Sequence, residues 1–196
     1  MKILIDNGHG SNTAGKHSPD RRLLEYAWTR EVAQMVTDTL KAQGYDAERI
    51  VPEQNDISLS TRTKRVNTIC ARHGAKNVLL VSLHVNAACG AGWNTATGWT
   101  GWVAPNASSN SKKLAQLLYE EASKRNLRGN RSVPSCKYWV GNFAIVRDTQ
   151  CPAVLTENLF QDNKADVDFL LSEQGKQAIV NLHVEGIKKY IKEVGK

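Results

Sequence analysis

Three short apolar runs, each stopping on a polar residue with useful chemistry, constrain this chain more than any other feature. Ile3-Leu4-Ile5 runs into Asp6-Asn7-Gly8-His9. Residues 78–83 run into His84-Val85-Asn86, and residues 152–156 run into Glu157. Apolar runs this short, bounded by turn formers, read as strands buried on both faces. Strands of that kind belong to α/β sheets, whose active sites collect at the carboxyl edge. The pattern therefore predicts that His9, His84 and Glu157 gather at one edge of one sheet.

The rest of the chain alternates with these runs as such a sheet requires. A helix is expected over 24–43, with Leu24, Ala27, Trp28, Val32, Met35, Val36 and Leu40 on one side and Gly44 ending it. A strand at 45–50 and a helix at 58–73 follow, the second ended by Gly74. After the strand at 77–84 come a glycine-rich loop at 90–98, a strand near 99–104 and a helix at 109–126. Residues 127–142 read as irregular, with room for a short strand. Strands are expected at 143–147 and 152–156, around Asp148-Thr149-Gln150. Asp162-Asn163 can cap a short helix to Leu171, and a helix at 173–194 carries His183 on its apolar stripe. The expected fold class is α/β: one domain, 1–196, with a twisted, mostly parallel sheet and helices on both faces. No apolar run approaches the ~20 residues that span a bilayer.

His9 and His84, with Glu25 in Arg22-Leu23-Leu24-Glu25-Tyr26, make a two-histidine, one-carboxylate donor set. That set suits a catalytic zinc, which keeps one position for water. Glu157 emerges from a buried run, where desolvation raises a carboxyl pKa, and is the candidate general base. A surface acid near a helix start is the plain alternative for Glu25. His17 is a rival ligand in a polar loop beside the site. His73 suits a helix C-terminus and His183 suits packing. Asn86 and Asn158 are candidates for orienting ligands or substrate. Trp93, on the flexible loop, is a candidate substrate contact, whereas Trp99 and Trp102 are equally well read as core.

The four cysteines, Cys70, Cys89, Cys136 and Cys151, form no CxxC pair, which argues against a thiolate zinc site. Cys70 reads as a core thiol, and Cys136 and Cys151 could meet in space. The net charge of +7 suits attraction to an anionic polymer. No basic run with interleaved aromatics points to nucleic acid.

Taken in order, Asn7-Gly8-His9-Gly10, Glu25, Ser82-Leu83-His84-Val85-Asn86 and Thr156-Glu157-Asn158-Leu159-Phe160 resemble the zinc-dependent N-acetylmuramoyl-L-alanine amidases. Leu59-Ser60-Thr61-Arg62 with Val66-Asn67, and Ser111 with Leu114-Ala115, resemble that family's helices. Two positions depart from its pattern. Ser11 follows the first motif where the family often has glycine or an acid. Leu159 stands where it often has glycine, which bears on the backbone beside Glu157. The resemblance implies hydrolysis of the amide between N-acetylmuramic acid and L-alanine, with peptidoglycan as partner, zinc on His9, Glu25 and His84, and Glu157 as base. With no secretory signal read at residues 1–6, the expected route is synthesis in the cytoplasm and action on the cell wall after release or lysis, as for a phage or prophage lysin. The rivals are a zinc carboxypeptidase or other wall peptidase, with Arg147 holding a terminal carboxylate, and a non-catalytic wall-binding protein.

Overall fold

A computed structural model describes residues 1–88, 90 and 92–194. Its frame is a six-stranded sheet in the order β2-β1-β3-β6-β4-β5. The strands are β1 (Lys2–Asn7), β2 (Asp46–Arg49), β3 (Val78–Asn86), β4 (Thr100–Val103), β5 (Trp139–Val140) and β6 (Ala153–Phe160). β2, β1, β3 and β6 run parallel, and β4 lies antiparallel to β6. The mostly parallel sheet is as the apolar runs require: Ile3, Leu4, Ile5, residues 78–81 and Val154 are all fully buried. Burial on both faces is what makes such strands uniformly apolar rather than alternating.

The helices are α1 (Glu25–Ala42), α2 (Leu59–His73), α3 (Ser109–Lys124), α4 (Ala144–Arg147), α5 (Lys164–Leu171) and α6 (Glu173–Val194). α1, α3, α5 and α6 share one core with one face of the sheet. α2 and α4 share a smaller core with the other. Ser58, Ser108 and Asn163 accept hydrogen bonds from the first-turn amides of α2, α3 and α5. Such caps satisfy amides that have no partner within the helix.

The structure corrects three local expectations. Residues 143–147 are expected as a strand, but Ala144–Arg147 form a helical turn. Four apolar residues are too few for periodicity to tell the two apart. The last strand does not stop at Thr156 but runs through Glu157 to Phe160, with a register shift opposite His84 and Asn86. Cys151 lies against Cys70 rather than Cys136. The Cys136 thiol instead faces the Tyr138 carbonyl at 3.2 Å, and all three thiols are free. Cys89 lies outside the described residues.

The connection from β1 passes through α1 to β2, on one flank of β1, while β3 lies on the other. The carboxyl ends of β1 and β3 therefore open a crevice between connections that diverge. Crevices of this kind are where α/β sheets bind ligands.

Candidate metal and catalytic site

β1 ends at Asn7, and the Gly8 amide donates to the Leu83 carbonyl at 2.9 Å, zipping β1 to β3 up to the site. A Cβ on Gly8 would lie 2.3 Å from the His84 ring, so only glycine leaves room for that imidazole. His9 follows with φ 59°. That left-handed backbone costs an ordinary residue roughly 1–2 kcal/mol, so it needs outside support. Two buried arginines supply it. Arg30 of α1 and Arg62 of α2 both donate to the His9 carbonyl, at 2.9 and 3.2 Å. Arg62 also donates to the Asn7 carbonyl and to Asp6, both at 2.7 Å, and Asp6 accepts from Ser82. The aim of His9 is thus set by both helices that flank it.

Glu25 is the first residue of α1 and is 1 % exposed. Its amide donates to the Lys16 carbonyl at 3.0 Å, which turns the preceding loop back onto the helix start. One carboxylate oxygen, Oε1, accepts from the Val85 amide at 3.0 Å. The same oxygen lies 3.2 Å from His84 Nδ1 and 3.4 Å from His9 Nε2. The two imidazole rings stand edge to face, 5.0 Å between centroids. Ligand atoms from His9, Glu25 and His84 all fall within 4.8 Å of one another.

Burial drives Glu25 toward its neutral form, but hydrogen bonds with His84 and His9 outweigh it and hold the carboxyl well below its usual range. Burial likewise lowers the His84 pKa, and Glu25 more than reverses that. Such a trio is built around a positive charge, which a proton or a metal cation can provide. The donor set fits a cation: two neutral imidazoles and one carboxylate are a standard three-ligand group for zinc. The second oxygen of Glu25 is buried without a partner, so the carboxylate keeps acceptor capacity.

Glu157 is the register partner of His84 on β6 and lines the same cleft as His9 and His84. Its pKa is pushed up to about 7, first by burial and also by the charge of Glu25, against the pull of His84, Lys16 and Arg131. Its Oε2 is buried with no hydrogen-bond partner. A carboxylate in that condition is ready to take a proton near neutral pH.

Other expected site residues fall elsewhere. Asn158 is fully buried and cannot touch a substrate. Its amide donates to the His84 carbonyl at 2.9 Å and its oxygen accepts from Trp99 at 3.0 Å, so it braces the strand that carries His84. Trp99 is accordingly core, at 1 % exposure. Asn86 accepts from the Ala87 amide and Trp93 stands 41 % exposed. His17 is turned to the Ser18 carbonyl at 2.7 Å and is outside the donor trio. Arg147 is bound to Asp148 at 2.6 and 2.7 Å and to Asn142 at 2.9 Å, away from the cleft lining. The cleft is also lined by Lys16, Leu59 and Phe143. No motif marked these three as site residues, because each is a lone side chain brought in by a loop or helix end.

The chain is similar to known proteins along nearly its whole length. The pattern of the N-acetylmuramoyl-L-alanine amidase family matches residues 3–189. The chain is 28% identical to the N-acetylmuramoyl-L-alanine amidase CwlM of Bacillus licheniformis, over 96% of this chain and 68% of that one. It is 26% identical to the endolysin of Bacillus phage SPP1, over 96% of this chain and 65% of that one. Among solved structures, the N-acetylmuramoyl-L-alanine amidase of Clostridium difficile 630 superposes with a TM-score of 0.81 at 27% identity, covering 97% of this chain and 96% of the other.

Proposed function

The chain belongs to the N-acetylmuramoyl-L-alanine amidase family, and from that premise we propose that it is a zinc-dependent hydrolase of peptidoglycan. The bond cut is the amide between the lactyl group of N-acetylmuramic acid and L-alanine. The observation that carries this reading is the convergence of His9, Glu25 and His84 at the mouth of a cleft that also holds Glu157.

His9, Glu25 and His84 would hold the zinc, leaving one position free. When bound, zinc supplies Lewis acidity that polarises the scissile carbonyl and acidifies water. Glu157 takes the proton of the attacking water on its carboxylate and hands it to the leaving alanine amine. Its raised pKa suits both halves of that transfer. Asn158 and Trp99 keep the His84 strand in place behind the site. Asn86 and Trp93 are proposed substrate contacts at the surface. Similarity to the phage SPP1 endolysin supports a lysin role, in which the enzyme reaches the wall after release or lysis. No helix among the described residues is long and apolar enough to cross a membrane. The carboxypeptidase alternative loses its anchor, since Arg147 is already paired with Asp148.

The test is digestion of purified wall with end-group analysis and metal analysis on the same preparations. The expected products are alanine amines with no new reducing sugar ends, from protein holding about one zinc per chain. His84→Ala should lose metal and activity together. Glu157→Gln should keep metal and fold but lose roughly two to four orders of magnitude in rate. Full zinc in His84→Ala sinks the ligand assignment. Near-normal turnover by Glu157→Gln removes the base.

A further inference from the structure

The bond proposed above lies one lactyl ether from a sugar ring, so part of the cleft must meet the glycan. The cleft walls differ in chemistry. One carries the cation Lys16. The other is apolar, and Phe143 on it lines the same cleft as His84 and Glu157. From Phe143 the aromatic surface continues outward. Trp102 stands edge to face with Phe143 at 5.6 Å, and Trp139 lies 6.2 Å from Trp102. Both tryptophans are half-buried, and Phe143 is 36% exposed.

Trp139 packs toward the larger core, 6.1 Å from Tyr119 of α3, but topology explains why Phe143 and Trp102 remain open. On their side of the sheet α2 packs against β3 and α4 against β6. The helix packed on β4 is α3, which belongs to the opposite core. The rings are nevertheless fixed. A Cβ on Gly141 would lie 2.5 Å from Phe143 and 3.0 Å from Trp102, so the Phe143 ring sits directly on glycine backbone. Rigid, exposed aromatic area beside a cleft is the mark of an unfilled contact surface. Neither Phe143 nor Trp102 carries a charge, and Arg147 at the end of the same short helix is paired with Asp148. An uncharged N-acetyl sugar, with one apolar face, matches this surface better than a peptide bearing carboxylates.

We propose that Phe143 and Trp102 form a glycan subsite, an aromatic ledge that takes the sugar rings flanking the muramic acid whose amide is cut. The assignment rests on the wall-amidase reading and adds to it the direction in which the glycan leaves the cleft.

The probe is a short oligomer of N-acetylglucosamine, the uncharged sugar that flanks muramic acid, titrated into the full chain by calorimetry and tryptophan fluorescence. Phe143→Ala and Trp102→Ala should each weaken binding about threefold to tenfold, the worth of one stacked ring. Trp102→Phe keeps a ring and should restore most of what Trp102→Ala loses. Gly141→Ala deletes no aromatic but displaces Phe143, and should also weaken binding. On intact wall the losses should fall in KM. Glycan binding and wall KM untouched by Phe143→Ala and Gly141→Ala overturn the ledge, even if the parent releases alanine amines. Binding through these rings with no amine released overturns the amidase reading and leaves the ledge standing. A dimer that Phe143→Ala dissolves, with glycan binding unaffected, gives the patch to a second copy and overturns the proposal.

Discussion

Leu159 stands where the family pattern often has glycine, yet its backbone takes the shape a glycine would allow, with φ 64°. The left-handed turn beside the proposed base is therefore kept without the residue that makes it easy. What holds it is packing: the Leu159 side chain is 4 % exposed and belongs to the larger core. A left-handed leucine costs roughly 1–2 kcal/mol, and removing a buried leucine side chain costs about 2–5 kcal/mol. Packing outweighs strain, so Leu159→Gly should lower stability by about 1–3 kcal/mol in denaturant titration. Leu159→Val should lose more, because a β-branched side chain tolerates this backbone poorly. A glycine variant at least as stable as the parent would show that strain outweighs packing. His9, His84 and Glu157 were legible as neighbours because each follows an apolar run, and such runs pair in one sheet. The left-handed turn at Leu159 was signalled only by its departure from the family's glycine, since nothing in a leucine itself marks such a backbone. The bracing role of Asn158 was also hidden, because it depends on which way β6 turns its faces beyond Thr156.

At the scale of elements, α2 does more for the site than its sequence discloses. Its Arg62 is 2 % exposed and bridges Asp6 and Asp56 while holding the Asn7 and His9 carbonyls. The Asp6–Arg62 pair is buried on both sides, so removing one partner leaves an uncompensated charge. Arg62→Met should therefore cost about 3–5 kcal/mol. Asp6→Asn in the same chain should return part of that loss. Summed single losses equal to the double loss, in thermal or denaturant melts, would mean the two residues are not coupled. The existence and order of the long elements were legible, since α1, α2, α3 and α6 are long enough for their 3.6-residue period to show. The turn Ala144–Arg147 was not. Its apolar run is as short as a strand's, and only its seat beside α2 over the β3–β6 region makes it helical. Phe143, carried at its start, reads as a strand residue rather than a cleft residue for the same reason.

Across the whole molecule, His183 ties the two layers together. It sits on α6, fully buried, with Nδ1 donating to the Ile179 carbonyl at 2.8 Å and Nε2 accepting from the Thr156 hydroxyl at 3.0 Å. The apolar stripe of α6 already placed this residue inward, but not its bond to β6 one residue before Glu157. Burial drives its pKa from 6.5 down to about 4, helped by the charge of Arg125 and against the Ile179 carbonyl. A depressed histidine favours the folded state only while neutral. The unfolded chain takes up the proton first as pH falls below 6.5, so stability is full above that value and declines down to about 4. Below about 4 both states are protonated and this contribution is flat. At about 1.4 kcal/mol per pH unit the loss reaches roughly 3 kcal/mol. Glu121 acts in a lower window. Lys124, Lys189 and Arg125 overcome its burial and hold it at about 2, so its contribution fades as pH falls from 4.5. His183→Gln should be less stable at pH 8, having lost well-formed bonds, yet its stability should fall less steeply between pH 6.5 and 4. Taking the difference between parent and variant cancels the contribution of every group common to both. Parallel curves over that window would mean that His183 is protonated in the folded core, and that the link between α6 and the strand bearing Glu157 does not depend on its neutral form.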